Sequence, residues 1–119
     1  MKIDKSKNYS IEQLDFSKLC RTLGHPARIA ILDLIAKESN CVENKVIQMD
    51  QIGFLTVVKH LKGLHNAGLV KGNISSLKDL SYCVNWEKLD EFKILFDSLY
   101  SSIQEHRNKV ILSKGKCIK

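Results

Sequence analysis

From Leu89 onward the chain repeats an apolar step of three and then four residues, through Leu89, Phe92, Phe96, Leu99, Ile103, His106 and Val110. Steps of three and four keep all these positions on one stripe of a helix, and a stripe this narrow is a coiled-coil-like seam. One long helix, from about Trp86 to Leu112, is therefore the element around which the fold must be arranged. A chain of 119 residues supplies one domain and one hydrophobic core to go with it.

The elements ahead of that helix follow from local signals. Ser10 with Gln13 makes a capping-box pattern, and Ile11, Leu14, Leu19 and Leu23 continue it as a helix that Gly24 ends, over residues 10–24. Pro26 suits the first turn of a second helix running to about Glu38, apolar nearly all round and so central to the core. Asn40 with Glu43 repeats the capping-box pattern and predicts a short third helix from Cys41 to about Gln48. In "QIGFLTVVKHLKGLHNAGLV", Val57, Leu61, Leu64 and Gly68 recur at helical spacing. This fourth helix should end near Ala67, with Gly68 as a left-handed cap. "LVKGNI" and "LSYCV" read as the strands of a β-hairpin.

A short helix, a tight connection, a second helix and a hairpin make a winged helix-turn-helix, in fold class mainly α of the α+β kind. The expected organisation is one domain over 1–119, with the helix-turn-helix at 41–68, the wing at 69–85 and a frayed tail at 113–119.

Charge is unevenly placed along the chain. From Gln51 to Lys78 there are four lysines (Lys59, Lys62, Lys71, Lys78) and no acid. From Arg107 to Lys119 there are five basic residues and no acid, while Asp79 to Glu105 holds six acids against Lys88 and Lys93. A polyanion such as nucleic acid is the natural partner of the first basic block, and a solvated charged face is the plainer alternative. The N-terminus, "MKIDKSKNYS", has no apolar core after its lysines, and the longest apolar run is far short of a membrane span. No signal peptide and no membrane association are expected. Cys20, Cys41, Cys83 and Cys117 are widely spaced, with no pair close enough to suggest a zinc site, and a cytoplasmic chain with reduced thiols is the default expectation.

Two stretches then resemble a known family. "LCRTLGHPARIAILDLI" is similar to the "ALxxPxRxxIL" opening of the ArsR/SmtB repressors, the arsenical- and metal-responsive winged-helix regulators of bacteria. "TVVKHLKGLHNAGLVKG" resembles their "TVSxHLKxLxxAGLV" signature, with Thr56, Val57, His60, Leu61, Lys62, Leu64, Ala67, Gly68, Leu69 and Val70 in place. "SYCVN" resembles their second wing strand, and the likeness spans about Phe16 to Phe96.

The resemblance implies a homodimeric, effector-controlled repressor that binds a double-stranded DNA operator, with its first and last helices at the dimer interface. On this chain that interface would hold Leu14, Leu89, Phe92, Phe96, Leu99, Ile103 and His106. The DNA-binding set would be Thr56, Lys59 and His60, with Lys62 and His65 turned away from Thr56 and His60 and reaching backbone phosphate at most, and Asn73 and Lys78 from the wing.

Departures from the family pattern lie at the start of the recognition helix. Gly53, Phe54 and Leu55 stand where Ser-Gln-Ser is common, and Val58 where Ser often follows. Gln can hydrogen-bond an adenine edge in two places, whereas Phe54 and Leu55 are limited to apolar contact such as thymine methyls. They equally fit a dimeric protein-interaction module that has lost specific DNA reading.

The family's arsenic-binding "CVC" is "CVE" here, so Cys41 is a candidate effector thiol near a helix N-terminus and Glu43 replaces its partner. His106, with Asp97 and Glu105, falls short of a zinc ligand set. Neither a metal nor a cofactor is expected; a metal or thiol-reactive effector would lack a complete site. No nucleophile–base–acid set and no glycine-rich phosphate loop are present, so no enzymatic activity is expected.

Overall fold

Ser10 opens α1 (Ile11–Thr22) by a reciprocal cap: its hydroxyl accepts from the Gln13 N–H at 3.1 Å, and the Gln13 side chain accepts from the Ser10 N–H at 3.0 Å. Pro26 begins α2 (Pro26–Lys37), where the preceding His25 caps the helix by accepting from the Ala27 N–H at 3.2 Å through Nδ1. α2 buries Ala27, Ile31 and Ile35. α3 (Phe54–Asn66) buries Val57, Leu61 and Leu64 against the same core. Gly68, at φ +82°, ends that helix with its N–H donating to the His65 carbonyl, while the Leu69 N–H donates to the Leu64 carbonyl. That left-handed turn sends the chain into β2 (Val70–Asn73), β3 (Ser81–Val84) and α4 (Trp86–Lys114). The computed structural model describes residues 8–114, side chains at 108 and 110–114 excepted, so the Val110 side chain and most of the expected tail lie outside the described residues.

The short helix expected from Cys41 to Gln48 does not form. Ser39 (φ 65°) and Asn40 (φ 72°) take left-handed conformations that end α2, and Cys41–Glu43 is then a strand, β1. β1 pairs antiparallel with β3 in the register Cys41↔Cys83, Val42↔Tyr82, Glu43↔Ser81. Val42, 2 % exposed, gains more from burial in this sheet than a capping box could return. From Asn44 to Gly53 the backbone follows no regular helix, apart from a bridge between Met49 and Ile52. Tyr82 organises the first part of that segment. Its hydroxyl accepts from the Ile47 N–H and donates to the Lys45 carbonyl, both at 3.0 Å.

The result is a mixed α+β fold of four helices and one antiparallel sheet of order β1-β3-β2 among the described residues. Tyr82, on the central strand, is completely buried with Ile31, Ile35, Leu61, Leu64 and Leu69. Gly72 pairs with Tyr82 at φ +132°, and a Cβ there would run into the Ser81 carbonyl oxygen, so this position needs glycine.

α4 uses its seam in two parts. Leu89 and Phe92 pack against the core, and Phe16 of α1 meets Phe92 edge-on with ring centroids 5.2 Å apart. Leu14 is half-buried on α1. Farther along, Phe96 is 50 %, Leu99 38 % and Ile103 59 % exposed, and His106 is exposed as well. No helix among the described residues is long and apolar enough to cross a membrane.

Candidate nucleic-acid interface

The outward face of α3 is set by what its inward face buries. With Val57, Leu61 and Leu64 in the core, the opposite stripe carries Leu55, Lys59, Lys62 and Asn66, spaced by four, three and four residues and all exposed. Thr56 is exposed on one flank of this stripe and Phe54 on the other. Phe54 is 53 % and Leu55 79 % exposed, two of several large apolar side chains that the fold leaves at its surface. Gly53 caps the helix without a side-chain hydrogen bond, and the first turn carries no acid. The positive end of the helix dipole is therefore left open to an outside anion.

Beyond the helix, a shallow groove runs between the last turns of α3 and the hairpin, lined by Lys62, His65, Asn66, Gly72, Asn73, Ile74 and Ser75. His65 Nε2 lies 3.2 Å from the Gly72 carbonyl oxygen and ties helix to strand. Asn73 uses its side-chain oxygen to hold the turn, accepting from the Ser75 N–H at 3.1 Å and the Ser75 hydroxyl at 2.8 Å. Asn73 is exposed, and its amide NH₂ takes no part in these turn bonds. Lys78 is exposed where the turn closes, its N–H donating to the Ser76 hydroxyl at 3.3 Å. The structure thus brings Lys62 and Asn73 to one groove, next to the stripe that bears Lys59.

His60 departs from expectation. It is 8 % exposed and points inward, toward α2 and the α1–α2 turn, not to the outer face. Arg28 Nε donates to His60 Nδ1 at 3.3 Å, and Arg28 Nη1 donates to the Thr22 carbonyl at 3.2 Å. The His25 ring lies against the His60 ring with centroids 4.3 Å apart. Gly63 makes room for the guanidinium, because a Cβ there would sit 2.5 Å from Arg28 Nη2. Burial is the main force lowering the His60 pKa below 6.5, and the charges of His25, Arg28 and Lys59 push the same way. His60 is therefore a neutral packing and hydrogen-bonding residue that fixes α3 on α2.

Arg28 and His25 were not singled out by sequence reasoning. The available signal was an arginine on a helix otherwise apolar nearly all round, which needs a polar partner inside the fold.

Cys41 also differs from its expected setting. It lies at the start of β1, not at a helix N-terminus, and its sulfur is bonded to Cys83 of β3. The expectation of reduced thiols fails at this pair, because the register sets the two residues opposite each other with Cα atoms 4.0 Å apart. Cys20 is an exposed free cysteine. Among the described residues, no group of three or more His, Cys, Asp or Glu is placed to hold a metal ion. No family model matches this chain, and neither a curated protein nor a solved structure matches it significantly.

Proposed function

We propose that this protein is a cytoplasmic, homodimeric, winged-helix transcriptional regulator of the ArsR type, a repressor that acts by binding an operator and not by catalysis. The observation that carries this reading is the acid-free outer stripe of α3. Lys59 and Lys62 stand there beside Thr56, Lys62 also lines the groove that reaches Asn73, and Lys78 is exposed on the β2–β3 turn. In this reading α3 enters a major groove and the β2–β3 hairpin is the wing, with lysines on phosphate and the helix start toward base edges. The first helix of the usual helix-turn-helix pair is replaced by β1 and the segment held by Tyr82.

The dimer in this proposal joins the uncovered part of the α4 seam, Phe96, Leu99 and Ile103, to the same residues of a second copy. One observation favours a second reading, in which the dimer docks a protein. Phe54 and Leu55 offer apolar surface where base-reading residues would carry polar groups. Selection of bound duplexes from a random DNA pool separates the two. Enrichment of a two-fold symmetric site supports the regulator, and a pool that returns without a shared sequence supports the protein-docking module.

A further inference from the structure

We infer that the Cys41–Cys83 disulfide is a reversible redox switch that sets the DNA affinity of the proposed interface; this rests on the reading of α3 and the hairpin as the DNA-binding surface. The two strands put Cys41 and Cys83 side by side on the sheet face away from the core, since Val42, Tyr82 and Val84 point inward. Cys41 is exposed and Cys83 half-buried. β2 places Lys71 directly opposite Cys83, while Glu43 sits two residues along β1 from Cys41 on the same face. An exposed sulfur bonded to one with a cationic neighbour is arranged for exchange. An external thiolate attacks Cys41 Sγ, the S–S bond breaks, and Cys83 leaves as a thiolate beside the Lys71 ammonium.

A second thiol completes the reduction. Its thiolate attacks the external sulfur of the mixed disulfide and releases Cys41. The two external thiols end as one disulfide, having given two electrons and two protons to the cysteine pair. Oxidation is the reverse, with a low-molecular-weight disulfide such as glutathione disulfide as the oxidant. A regulator of transcription works in a reducing compartment, where a disulfide is transient and signalling in kind more often than structural.

The bond also lies where it can matter to binding. Cys41 and Cys83 are 42 residues apart, and the loop they close contains all of α3 and β2. The segment that enters α3 hangs on β1, and the hairpin hangs on β3. Opening the bond leaves β1, and with it the segment that enters α3, held to β3 by noncovalent contacts alone, the β1–β3 strand pairing and the Tyr82 hydroxyl bonds among them, while α3 still runs directly into β2.

The test uses the full chain carrying Cys20→Ser and Cys117→Ser, so that only this pair reacts. It is equilibrated in buffers of stepped reduced-to-oxidised glutathione ratio. Thiol trapping with mass spectrometry gives the disulfide fraction, and fluorescence anisotropy gives the affinity for a labelled duplex in the same buffers. The expected result is a disulfide that titrates within the glutathione range, with at least tenfold weaker DNA binding in the reduced form at the same midpoint. Cys41→Ser should bind weakly in every buffer. A disulfide that persists across the range overturns the inference, as does affinity that is unchanged or higher on reduction.

Should neither form bind any duplex, the DNA-binding reading fails on its own. Amide exchange in residues 44–53 then still decides the switch. Faster exchange on reduction, with the trapping midpoint, supports it, and unchanged exchange overturns it.

Discussion

Replacing Tyr82 by Phe removes one oxygen and keeps the ring, so it isolates the two hydrogen bonds that hold the chain between β1 and α3. The two partners differ in setting. Ile47 is 7 % exposed, and its N–H, deprived of the hydroxyl, is left unpaired inside. A buried donor without a partner costs about 1–3 kcal/mol. Lys45 is exposed, so its carbonyl turns to water at little expense. The variant also no longer has to desolvate a hydroxyl on folding, which offsets part of the loss. The expected destabilisation is about 1.5 kcal/mol in urea unfolding at an unchanged m-value, with faster exchange of the Ile47 amide.

The same substitution has an alkaline signature. Burial is the main cause raising the Tyr82 pKa above 10.0, Glu38 adding to it and the Ile47 hydrogen bond opposing. The unfolded chain then loses the proton first as pH rises. The wild type should lose stability above about pH 10 from this group, and Tyr82→Phe should not. A destabilisation under about 0.5 kcal/mol, the range of ordinary surface changes, with the Ile47 amide still protected, would refute the role given to Tyr82.

His60 is held neutral, so the unfolded chain takes up the proton first: its contribution is intact above 6.5 and is lost as pH falls from there through its lowered folded pKa. His60→Gln should flatten that acid-side decline in thermal unfolding; an unchanged slope would place the titration elsewhere. Phe96→Asp with Leu99→Asp removes two apolar side chains each worth roughly 1.5–3 kcal/mol when buried, and should give a monomer by sedimentation. A double variant that stays a tight dimer places the interface elsewhere. Gly72→Ala should cost at least about 2 kcal/mol, since its φ of +132° and the Ser81 carbonyl both exclude a side chain; a neutral result in denaturant unfolding would contradict that geometry.

Local signals were legible in the sequence where local chemistry decides. The Ser10–Gln13 cap, Pro26 at the start of α2 and Gly68 after α3 are contained within a few residues, and each forms as the sequence implies. The second capping-box pattern, Asn40 with Glu43, misled because the competing interaction is distant in sequence. Val42 and its register with Tyr82, forty residues on, outweigh a cap. The disulfide was hidden for the same reason, since Cys41 and Cys83 become neighbours only once β1 exists.

His60 shows how narrow the margin is on a helix surface. It lies three residues from Val57, one from Leu61 and four from Leu64, on the edge of the buried stripe. Arg28, from another helix, decides that its ring turns inward. The outer stripe of Leu55, Lys59 and Lys62 becomes definite only when that buried edge is known. The α4 repeat implies the helix but not its division into a covered part, Leu89 and Phe92, and a more exposed one, which depends on where α1 begins alongside it.

The most direct measurement of the central claim is the salt dependence of binding to a selected duplex and to its scrambled counterpart, for the wild type, Lys59→Ala and Phe54→Ala. The wild type should prefer the selected duplex at every salt concentration. Lys59→Ala should weaken binding to both duplexes and lower the slope of log K against log salt by about one unit for each phosphate that is no longer neutralised. Phe54→Ala should cost on the order of 1 kcal/mol on the selected duplex alone, with the slope unchanged. Wild-type binding that is steeply salt-dependent but indifferent to sequence, with Phe54→Ala silent on both duplexes, would contradict direct reading of DNA by α3.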